Sequence, residues 1–92
     1  MFGQEDYVSC ETARVLHEKG YSGMVTAATL YEAQKWLREK HNIHVCVDCN
    51  VFGWYTTLFN AVSGDPISQI NGCKEHYEEA LGAGIEEALK LI

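Results

Sequence analysis

The stretch that most constrains this chain is Thr29–Val47, TLYEAQKWLREKHNIHVCV, where a helical hydrophobic period gives way to a strand period without an intervening loop. Thr29 is a helix N-cap by type, and Glu32, three residues on, is placed to reach back to the Thr29 amide and close a capping box. Leu30, Ala33, Trp36, Leu37 and Lys40 then fall on one side at helical spacing, Lys40 through its aliphatic stem. Tyr31, Lys35, Arg38 and Glu39 fall on the other. After Asn42 the period drops from about 3.6 to about 2, so Ile43, Val45 and Val47 share one face while His44, Cys46 and Asp48 share the other. That pattern predicts a strand with one buried side.

The flanking segments follow the same logic. Ser9 is a predicted N-cap for a first helix over Cys10–Lys19, with Cys10, Ala13, Leu16 and His17 along one face. Gly20 ends it, and Tyr21 is expected to pack back on Leu16 in a Schellman arrangement. Residues 1–7 read as a flexible lead-in, and Met24-Val25-Thr26 as a short strand in a connector. Downstream, Asn50-Val51-Phe52-Gly53 reads as a hairpin turn with Gly53 taking positive φ. The return strand, Trp54–Val62, has Trp54, Thr56 and Leu58 on one face and Tyr55, Thr57 and Phe59 on the other. Neither face is clearly polar, which predicts cover on both, within the chain or from a second copy. Ser63-Gly64-Asp65-Pro66 is a turn, and Ile67–Ile70 an edge strand that Pro66 can only begin. In the last segment Tyr77, Ala80, Leu81, Gly84, Ala88, Leu91 and Ile92 recur at three- and four-residue steps. Gly84 lies on a small-residue strip suited to close packing on a sheet, whereas Gly82 has no such reason and costs roughly 1 kcal/mol relative to alanine. The expected fold is a single α+β domain over residues 1–92, ordered α-α-β-β-(β)-α, with helices on one face of an antiparallel sheet.

The totals exclude some classes of function. A chain of 92 residues has room for one core. Its formal net charge of −6 disfavours a phosphate backbone as partner. No apolar run approaches the roughly 20 residues that span a bilayer, and MFGQEDYVS lacks the basic start and apolar core of a secretion signal. The expected compartment is the cytoplasm, where four cysteines are free thiols rather than disulfides.

Four constellations could carry chemistry. Cys46-x-x-Cys49 with Cys73-x-x-His76 has the ligand types and pairing of a structural zinc module. Against it, residues i and i+3 of a strand point to opposite faces, and Cys10 and Cys73 read equally as small buried hydrophobes. His44, Cys46 and Asp48 share a strand face but are strung out along it, which reads as an ordinary polar face rather than a metal site. A Cys46 nucleophile with His44 or His76 as base lacks a local oxyanion hole. Glu78, Glu79, Glu86 and Glu87 read as a solvated helix face, or alternatively as part of an acidic DNA mimic; scattered Lys35, Arg38, Lys40, Lys74 and Lys90 interrupt such a stripe. Trp36, Trp54, Tyr55 and Phe59 are read as core or dimer interface, since Trp54–Ser63 has no Lys or Arg to make a nucleic-acid platform. No cofactor motif is present. The reading is therefore a non-enzymatic accessory protein that binds another protein, with Trp54, Tyr55, Thr57 and Phe59 as the interface and homodimerisation as one form of it.

TLYEAQKWLREKHNIHV and YEEALGAGIEEALKLI, with SCETARVLHEKGY before them, resemble a group of short uncharacterised bacterial proteins of prophage and mobile-element type. The resemblance implies Ser or Thr at position 76, Glu at position 82, and a longer insertion, a hairpin, where residues 21–28 stand. It implies no activity and no functional residues.

Overall fold

In the computed structural model, residues 7–21 and 29–92 are described; the expectations for residues 1–6 and for a strand at Met24-Val25-Thr26 lie outside them. Three helices and three strands follow in the order α1 (Cys10–Glu18), α2 (Leu30–His41), β1 (Ile43–Asn50), β2 (Gly53–Asn60), β3 (Pro66–Gln69) and α3 (Tyr77–Leu89). The strands form an antiparallel meander, β1-β2-β3.

The helix ends are set by the side chains that the sequence marks out. Ser9 accepts from the Thr12 amide at 3.1 Å, and Tyr21 and Gly20 donate back to Leu16 and His17, the paired bonds of a Schellman stop. In α2, Glu32 accepts from the Thr29 amide at 3.1 Å while Thr29 Oγ1 accepts from the Glu32 amide at 3.1 Å, a complete capping box. Asn42 ends α2 in the left-handed conformation, φ 58°, which asparagine tolerates better than most residues. That single residue turns the helix into β1. Its carbonyl accepts from Ala61 at 2.8 Å, pinning the corner to the far end of β2.

α2 packs on β1 and α3 packs on both β1 and β2, on one face of the sheet. The core there holds Leu30, Ala33, Leu37, Ile43, Val45, Leu58, Leu81, Ile85, Ala88 and Leu89. α1 makes its main contact with α3 instead of the sheet. It inserts Leu16 and Tyr21, the latter edge-on to Trp36 with centroids 5.6 Å apart. Thr12, not Cys10 or His17, completes its buried side; both of those are exposed. Lys40 is likewise exposed. α3 stops at Leu89, so Leu91 leaves the stripe and is 53% exposed, while Ile85 and Leu89 take core positions.

α3 comes close to the sheet at Gly84. A Cβ there would stand 2.5 Å from both Val45 Cγ1 and Thr56 Cγ2, so only a bare backbone lets α3 lie this near β1 and β2. Beside it, the buried Thr56 hydroxyl donates to the Ala80 carbonyl at 2.6 Å. A Cβ on Gly82 would meet only Leu30 Cδ2, at 3.7 Å.

Candidate interaction face

The alternation of β1 and β2 fixes what the other side of the sheet carries. Pairing sets His44 opposite Phe59, Cys46 opposite Thr57 and Asp48 opposite Tyr55, with Gln69 of β3 beside Thr57. No helix packs there among the described residues: helix contacts account for the inward set Ile43, Val45, Thr56 and Leu58, all buried. On the open side His44, Cys46, Tyr55, Thr57 and Phe59 are half-buried, and Asp48 and Gln69 are exposed. The expected cover on both faces is thus met on one face within the described chain. Trp54 belongs to the helix side, edge-on to Tyr77 at 5.3 Å, whereas Tyr55, Thr57 and Phe59 share the open side.

This face is nearly free of charge. Between Ile43 and Ile70 the charged residues are Asp48 and Asp65 alone, and Asp65 sits in the β2–β3 turn. The helices carry most of the remaining carboxylates, in an acidic chain of net charge −6. His44 adds a polar group without a partner: its Nδ1 is buried with no hydrogen bond among the described residues. At the opposite end of β1, the Asp48 carboxylate accepts from the Cys49 amide at 2.8 Å.

Both edges of the sheet are blunted. The bonds of Trp54, Thr56 and Asn60 run to Lys74, Ile70 and Asp65, away from β1. Alternation then turns the main-chain groups of Val45 outward from the sheet, and Gln34 of α2 donates to the Val45 carbonyl at 2.6 Å. β3 is four residues long, begins with Pro66 and carries a register shift that leaves Ile67 unpaired. Short, proline-led, bulged edges are poor templates for another strand.

The metal and nucleophile constellations do not assemble. Cys46 and Cys49 project to opposite faces, opposite Thr57 and Trp54 respectively. Cys73 is exposed beside Asn50, 3.7 Å from its Oδ1, and His76 is exposed at the α3 N-terminus. Among the described residues no three His, Cys, Asp or Glu side chains group as metal ligands. All four cysteines are free, and Cys10 and Cys73 are exposed, which corrects their reading as buried hydrophobes. His76 stands at the N-cap of α3 without a side-chain hydrogen bond to the helix. Of the acidic run on α3, Glu86 accepts from Thr12 at 3.4 Å and Glu87 pairs with Lys90 at 3.2 Å.

One feature was not legible as a site. Val51 and Phe52 form the hairpin tip and are 92% and 82% exposed. The signal was in the sequence: two large apolar residues occupy turn positions where Gly, Asn or Asp are usual. Asn50 supplies the turn chemistry instead, accepting from the Phe52 amide at 2.8 Å, and Gly53 takes φ 128°.

The fold and its open face define a small α+β protein with a helix-covered side and an aromatic-bearing side on which Asp48 is the charged residue among those described. No family model, curated protein or solved structure matches the chain. No helix among the described residues is long and apolar enough to cross a membrane.

Proposed function

We propose that this is a non-enzymatic accessory protein of the cytoplasm that acts by binding protein through the open face of its sheet. The observation that carries the reading is the contrast in charge. Most carboxylates of this acidic chain lie on the helices, while Tyr55, Thr57 and Phe59 share a face on which Asp48 is the charged residue among those described. Aromatic residues with few charges are the composition of an interface centre, where desolvation of ionised groups is costly. Four free cysteines suit a reducing compartment.

The test is affinity capture from the native host with the wild-type chain, Thr57→Arg, and Glu79→Lys as a helix-side control. Thr57→Arg places a charge at the middle of the face and is expected to abolish specific capture, while Glu79→Lys retains it. Equal capture by all three removes the face from the function.

A further inference from the structure

We draw no further inference here: the strongest candidate, the apolar Val51–Phe52 tip of the β1–β2 hairpin, stands exposed and nothing in the structure shows what covers it.

Discussion

The two faces of the β1–β2 ribbon are built from the same residue classes and end in different environments. On the helix side, Val45, Thr56 and Leu58 are sealed under α2 and α3, and the fit is close enough that Gly84 leaves no room for a methyl group. On the open side, Cys46, Thr57 and Phe59 are half-buried, with no described helix packed over them. Threonine shows the contrast in one residue type. Thr56 is 2% exposed and gives its hydroxyl to the Ala80 carbonyl, while Thr57, next in the chain, remains half-buried on the free side. What separates the faces is therefore which one the helices reach, and the helices reach one face because α2 enters β1 directly through Asn42.

The sharpest way to break this contrast is to truncate one residue on each side. Leu58→Ala is expected to cost about 2–5 kcal/mol, through lost burial and the cavity left under the helices. Thr57→Ala should change stability by less than about 0.5 kcal/mol in a folded chain with that face free. Urea denaturation of both variants measures the difference, and similar losses would show the open side to be part of the core. Next in size is the pair of glycines on α3. Gly84→Ala should cost about 1–3 kcal/mol by forcing α3 off Val45 and Thr56, despite better helix propensity. Gly82→Ala, with only an ordinary contact to Leu30 awaiting it, should stabilise by about 0.5–1 kcal/mol. Thermal melts of the two variants should shift in opposite directions. Thr56→Val keeps the shape but removes the bond to Ala80, and should cost about 1 kcal/mol in the same denaturation assay. Away from the sheet, His76→Asp supplies the cap that α3 lacks and should add about 1 kcal/mol, read as a raised melting midpoint.

Much of this architecture could be read locally. Ser9, Thr29, Gly20 and Gly53 act within a few residues of themselves, so caps, stops and the hairpin fall where their types place them. The period change at Asn42 is equally local, because it reports how side chains alternate along a single segment. Errors collected where a residue's fate depends on something distant. Cys10 and His17 occupy plausible stripe positions on α1, yet that helix leans on α3 and buries Thr12 instead. Leu91 continues the α3 pattern beyond the point where the helix ends. The zinc constellation joined Cys46, Cys49, Cys73 and His76 by spacing alone, while strand alternation divides the first two between faces.

The amino-acid order by itself determined the elements, the caps of α1 and α2 and which side chains share each strand face, since these follow from backbone bonding and periodicities of a few residues. It also located Gly84 as a place for close approach. Only the tertiary structure decided which face of the ribbon is covered and how near α3 lies to it, which sets Trp54 against Tyr77 and leaves Tyr55 on the side that the described helices do not cover. Those outcomes depend on how separate amphipathic surfaces are shared among three helices and one sheet, and burial of apolar surface is non-directional, so no local pattern specifies it.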